Sequence, residues 1–71
     1  MGKWKYLIAK TDRGYVNGYR IDESGEYYDV TSRSEDATLF DINITYDEYE
    51  QITSILKNNG YRKIKFILVW R

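Results

Sequence analysis

Neither cysteine nor histidine occurs among the 71 residues of this chain, and that double absence restricts its folding options more than any other feature. A domain this small buries only about 60% of the surface its unfolded chain exposes, so stability is thin unless a cross-link, a metal or a second subunit helps. Without Cys there are no disulfides. Without Cys or His the common zinc, haem and iron–sulfur arrangements lose their ligands. The core must then be built from carbon, and the chain supplies it largely as rings: eight Tyr, two Trp and two Phe. Self-association is the one assistant left. The length suits a single domain, residues 1–71.

Periodicity organises the rest. Residues 3–11 alternate as a strand, with Trp4, Tyr6 and Ile8 on one face and Lys3, Lys5, Leu7 and Ala9 on the other. Asp12-Arg13-Gly14 is a turn, because Asp starts tight turns and Gly accepts the left-handed conformation that closes them. A second strand runs from Tyr15 to Ile21. Asp22-Glu23-Ser24-Gly25 is another such turn, and Tyr27 to Thr31 is a third strand. Short turns between strands predict an antiparallel meander. Ser34 to Ala37 suits one helical turn, and Thr38 to Ile42 a short strand.

A helix is predicted over about 46 to 59. Thr45 and Glu48 form a T-x-x-E capping box, in which each side chain satisfies an orphan amide of the first turn. Ile44 and Tyr49 occupy the positions of a hydrophobic staple. Tyr49, Ile52 and Leu56 make the apolar stripe, and Gly60 sits where a helix ends in a left-handed residue. Arg62 to Arg71 is a last strand dense in β-formers, with Ile64, Phe66, Leu68 and Trp70 on one face. The expected fold is α+β: an antiparallel sheet of three to four meander strands plus the terminal strand, with one helix packed on one face. In that arrangement Trp4/Tyr6/Ile8 and Ile64/Phe66/Leu68/Trp70 form the side that meets the helix.

Charge is balanced in total and uneven along the chain. Residues 1–20 hold Lys3, Lys5, Lys10, Arg13 and Arg20 against one acid, Asp12; residues 21–50 hold ten carboxylates against one base, Arg33; residues 51–71 hold five bases and no acid. If the first and last strands adjoin, Lys3, Lys5, Lys63 and Lys65 share the sheet face opposite the helix. Leu7, Ala9, Ile67 and Val69 continue it. Exposed apolar surface beside charge tends to mark interaction sites, which makes this face one candidate for partner binding. The competing reading is that strand lysines guard against edge-to-edge aggregation and that residues 32–44 fold back over the apolar end. Glu35 and Asp36 head the acidic candidates, as a phosphate-like surface or simply as solvated loop charges.

Catalytic signatures are missing. Serines are present, but no His or Cys stands by to activate one. The carboxylate pairs Asp22/Glu23 and Asp47/Glu48 are explained by a turn and by the helix dipole. Gly14 and Gly18 lack the lysine of a phosphate-binding loop, and Asp22-x-Ser24-x-Glu26 lacks the rest of a calcium loop. The chain is therefore read as a binding protein, not an enzyme, with no cofactor and no metal. No stretch reaches the roughly 18 apolar residues that span a bilayer, and residues 1–9 are too short and too charged for a signal peptide. Gly2 hints at myristoylation, although Tyr6 stands where that motif wants Ser or Thr. Cytoplasm is the expected location, with no membrane partner.

Gly14-Tyr15-Val16-Asn17-Gly18-Tyr19, then Ser34-Glu35-Asp36-Ala37-Thr38-Leu39-Phe40, then a helix and a terminal strand, resembles small proteins encoded by phages and prophages of Gram-positive bacteria. The shared rhythm is structural and spans most of the chain. The resemblance implies a host-directed accessory protein, of anti-CRISPR or other anti-defence type, that blocks a host protein; it brings no catalytic residue with it. Three expectations follow. The first is a protein-binding inhibitor or modulator using Lys3, Lys5, Lys63, Lys65, Ile67, Val69, Glu35 and Asp36, with a homodimer left open. The second is a nucleic-acid-binding module that sets the basic strands beside stacking tyrosines. The third is a small domain holding a nucleotide-like ligand among Tyr and Arg side chains.

Overall fold

A computed structural model describes residues 3–71, so the expectation attached to Gly2 lies outside the described residues. Five strands and one helix follow each other as β1 (Lys5–Thr11), β2 (Gly14–Asp22), β3 (Gly25–Thr31), a 3₁₀ turn (Ser34–Asp36), β4 (Phe40–Asp41), α1 (Tyr46–Asn58) and β5 (Lys65–Trp70). The fold is α+β, as the periodicity predicts. β1, β2 and β3 form the meander, and β5 lies antiparallel to β1 along its whole length, from Lys5 opposite Trp70 to Lys10 opposite Lys65.

Glycines close the turns where backbone sterics demand them. Gly14 sits at φ 135°, and a Cβ there would lie 2.6 Å from the Thr31 carbonyl oxygen. No side chain fits that gap. Gly60, at φ 89°, ends the helix, and the Tyr61 amide beyond it donates to the Leu56 carbonyl. At the other end Thr45 Oγ1 accepts from the Glu48 amide at 3.1 Å. The box is not reciprocal, however. The Thr45 hydroxyl donates to the Glu48 carboxylate at 3.0 Å, so that carboxylate is held by a hydroxyl in place of an amide.

β1 and β2 pair only at their shared turn, Lys10 with Tyr15 and Thr11 with Gly14. A bulge at Asn17 then turns β2 aside. β4 fills the opening beside β1, with Leu7 opposite Phe40, and the Thr38 amide bonds the Val16 carbonyl across the gap. The β2–β3 hairpin therefore projects, giving a molecule of 42 × 26 × 22 Å. At the root of the fork, Ala9, Val16, Ile52 and Leu56 form the core, and Tyr28, Phe40, Ile44, Tyr61, Ile64 and Phe66 close around it. Each of the larger side chains contributes about 1.5–3 kcal/mol by leaving water.

The face of β1 toward the helix is the reverse of the expected one. Ala9 lies opposite Phe66 and Leu7 opposite Leu68, and directly paired residues share a face. Lys5, Leu7 and Ala9 thus look toward the helix, and Tyr6 and Ile8 look away. The cause is packing: a small residue, Ala9, lets Leu56 and Phe66 close over the strand. Ile8 is nonetheless only 2% exposed. The chain's own middle covers it, since Ala37 is buried and the Ser34 carbonyl accepts from the Arg71 guanidinium at 3.3 Å on that side.

Candidate binding surfaces

β1 begins beside the end of β5, where Trp4 and Arg71 exchange backbone hydrogen bonds of 2.8 and 2.9 Å. The last layer under the helix is aromatic: Phe66 meets Phe40 edge-on at 5.8 Å and Tyr49 at 5.1 Å. Past that layer the sheet is bare. Leu68 and Trp70 continue the same face and are 53% and 51% exposed. A cleft of about 510 Å³ lies at this end of the sheet, lined by Lys3 to Tyr6, the Asp41–Asn43 turn and Trp70. Trp4, on its rim, is 72% exposed. The Lys5 ammonium stands 5.1 Å from the centre of the Trp70 ring, within cation–π range.

The residues singled out from the sequence do not form one surface. Lys3 and Lys5 line the aromatic cleft. Lys63 and Lys65 lie at the opposite end of the β1–β5 ladder, where they and Lys10 border a second cavity of about 520 Å³ together with Thr11, Asp12 and Ile64. Ile67 and Val69 are half-buried on the face away from the helix, opposite Ile8 and Tyr6. The expected patch of Lys3, Lys5, Lys63 and Lys65 continued by Leu7, Ala9, Ile67 and Val69 is corrected accordingly. Pairing puts Lys5 against Trp70 and Lys65 against Lys10, so the two lysine pairs occupy different faces and different ends.

Glu35 and Asp36 sit together on the 3₁₀ turn, but not as free acids. Arg33 Nε lies 2.8 Å from Glu35 Oε1 and 3.5 Å from Asp36 Oδ2. A backbone amide hydrogen bond, the Arg33 guanidinium and the nearby Arg71 charge hold the Glu35 carboxyl below its ordinary range. At the tip of the β2–β3 hairpin, Asp22 accepts from the Ser24 hydroxyl at 2.6 Å and the Ser24 amide at 2.8 Å, which lowers its pKa. Arg20 reaches both Asp22 and Asp29 at 3.6 Å and lies 5.1 Å above the Tyr27 ring. The acidic block is thus divided among hairpin, turn and helix start, and is partly neutralised in place. These exposed pairs contribute little stability. Their effect is to break up the negative surface.

Two features escape the sequence pattern. One is the cleft itself, because strand parity places Trp4 in the core; its position between Lys3 and Lys5 is the one local sign of exposure. The other is Lys10, which pairs with Lys65 only once the register is known. Among the described residues no lysine takes part in an ion pair, no cluster of three acidic groups is arranged to hold a metal, and no helix is long and apolar enough to cross a membrane. The arrangement offers aromatic surface and unpaired ammonium groups, which are means of binding. Comparison with known proteins found no matching family model, no matching curated protein and no matching solved structure.

Proposed function

We propose that the chain works by binding another protein, as an accessory module of the kind phages and prophages direct at a host protein in the cytoplasm. The observation that carries this reading is the cleft at Trp4, Ile42 and Trp70. Two indoles and an isoleucine stand in water beside Lys3 and Lys5, in a domain with little core to spare. Trp and Tyr are the residues interfaces use most as anchors, because they combine a large apolar area with few rotatable bonds. The test is affinity purification from Gram-positive host lysate with the native chain and with a Trp4→Ala/Trp70→Ala variant. Both residues are exposed enough for the variant to fold. A protein retained by the native chain and lost by the variant supports the reading; identical retention by both, or none by either, rejects it.

A second reading rests on Lys10, Lys63 and Lys65, which border one cavity with a single acid, Asp12, and take part in no ion pair; the Tyr15 ring lies 5.6 Å from the Lys10 ammonium. Basic groups around an aromatic platform suit single-stranded nucleic acid. Binding of an oligonucleotide that weakens steeply with salt and disappears in Lys10→Glu/Lys65→Glu favours it; no binding at low salt removes it.

A further inference from the structure

Apart from the two-residue β4, the sheet has two outer strands, β3 and β5, and the chain guards only one. On β3 the Asn59 side chain acts as a substitute peptide unit. Its amide Nδ2 donates to the Glu26 carbonyl and its Oδ1 accepts from the Tyr28 amide, both at 3.2 Å. The Tyr61 hydroxyl donates to the Tyr28 carbonyl at 3.3 Å. On β5 nothing equivalent exists among the described residues. The reciprocal bonds between Trp4 and Arg71 set the alternation: Lys65, Ile67, Val69 and Arg71 turn their backbone groups toward β1. Phe66, Leu68 and Trp70 turn theirs outward. Of these six groups only the Trp70 carbonyl finds a partner, the guanidinium of Arg71.

We propose that β5 pairs antiparallel with β5 of a second copy of this chain, joining two sheets into one. Natural sheet edges discourage such pairing with a mid-strand charge, a proline or a bulge. From Phe66 to Trp70 there is no charge and no proline, and the strand is paired with β1 without interruption. The sequence is also complementary to itself. With Leu68 beside Leu68 of the second copy, Phe66 meets Trp70 and Ile67 meets Val69, so all five positions face an apolar partner. On the helix side, the exposed Leu68 and Trp70 of both copies merge into one strip. Six strand residues from each copy make a small interface, below the roughly 1,200 Å² of stable complexes, which suits a weak dimer that forms at high concentration. The chain's zero net charge puts no general repulsion between copies. The cost of this register is Lys65 near Arg71 of the second copy; the Arg71 guanidinium is already drawn aside to the Ser34 and Trp70 carbonyls. A second copy is favoured over a foreign peptide because only it matches this strand position for position. The pairing shares Trp70 with the cleft proposed above, but its test, self-association of the chain alone, does not require that a host protein binds.

Sedimentation of the full chain between about 10 µM and about 1 mM tests it, with amide exchange measured by NMR at both ends of that range. The expected result is a mass rising from 8.5 kDa to twice that value, with the amides of Phe66, Leu68 and Trp70 becoming protected as it rises. Leu68→Lys places an unpaired ammonium in each half of the interface and should weaken association roughly 100-fold. Ile21→Lys, at another exposed apolar site, should leave it intact. A monomer throughout the range overturns the proposal. So does a dimer that Leu68→Lys does not weaken, or one in which those three amides exchange freely, as they would if association used another surface; the exchange measurement on the native chain decides even if the variant fails to fold.

Discussion

The two edges of this sheet differ in what stands beside them. β3 has the end of α1 next to it, and Asn59 and Tyr61 finish its backbone hydrogen bonds from the side. β5 has solvent. The contrast shows where a small domain without staples spends its few non-repetitive side chains: its single helix covers one edge together with the core, and cannot reach the other. Edge protection here is a by-product of where the helix ends.

The largest expected effect separates the edges through two leucines of equal size. Leu56 is wholly buried, and its carbonyl also positions Tyr61. Leu56→Ala should cost about 2–5 kcal/mol, enough to unfold much of a domain this small. Leu68→Ala, at a half-exposed site, should cost less than about 1 kcal/mol at low protein concentration. Urea denaturation of both measures the gap, and equal costs would mean that β5 is not bare in dilute solution. Next, Asn59→Ala removes two of the three bonds that finish the β3 edge and should cost about 1–3 kcal/mol. Tyr28 amide exchange should accelerate with it, since that amide donates to Asn59 Oδ1; unchanged exchange would mean that Asn59 does not guard the edge. The smallest effect has the opposite sign. Lys63 holds φ 56°, a left-handed value, in the link between helix and β5. Lys63→Gly relieves that strain, partly offset by the greater freedom of glycine when unfolded. A net gain of about 0.5–1 kcal/mol is expected, read as a higher denaturation midpoint at unchanged slope.

Much of this was legible in the residues. Asp12-Arg13-Gly14, Asp22 to Gly25 and Gly60 announce their turns because few other residues tolerate those backbone angles. Thr45 and Glu48 mark the helix start. The side of β1 that meets the helix was not legible, since both parities carry apolar groups and only the pairing of Ala9 with Phe66 decides between them. Volume misled here: Trp4 and Tyr6 look like core, yet the helix needed the smaller side. The break at Lys63 was hidden within a run of β-formers from Arg62 to Trp70, because a lysine in a left-handed turn leaves no compositional trace. The division of the basic residues followed from these two facts. The bond from Asn59 to β3 spans more than thirty residues of chain, and no local pattern encodes it.

The pairing of β1 with β5 also has a consequence in time. The strand at the centre of the sheet is made before the other four strands, and its full-length partner, residues 65–70, is made after them. Until those residues emerge, β1 has only brief contacts with β2 and β4. Closing so long a loop must precede the reward from its contacts, and such topologies fold slowly for their size. The nascent chain therefore waits with its central strand open along one side, and completes its sheet only when the last strand arrives.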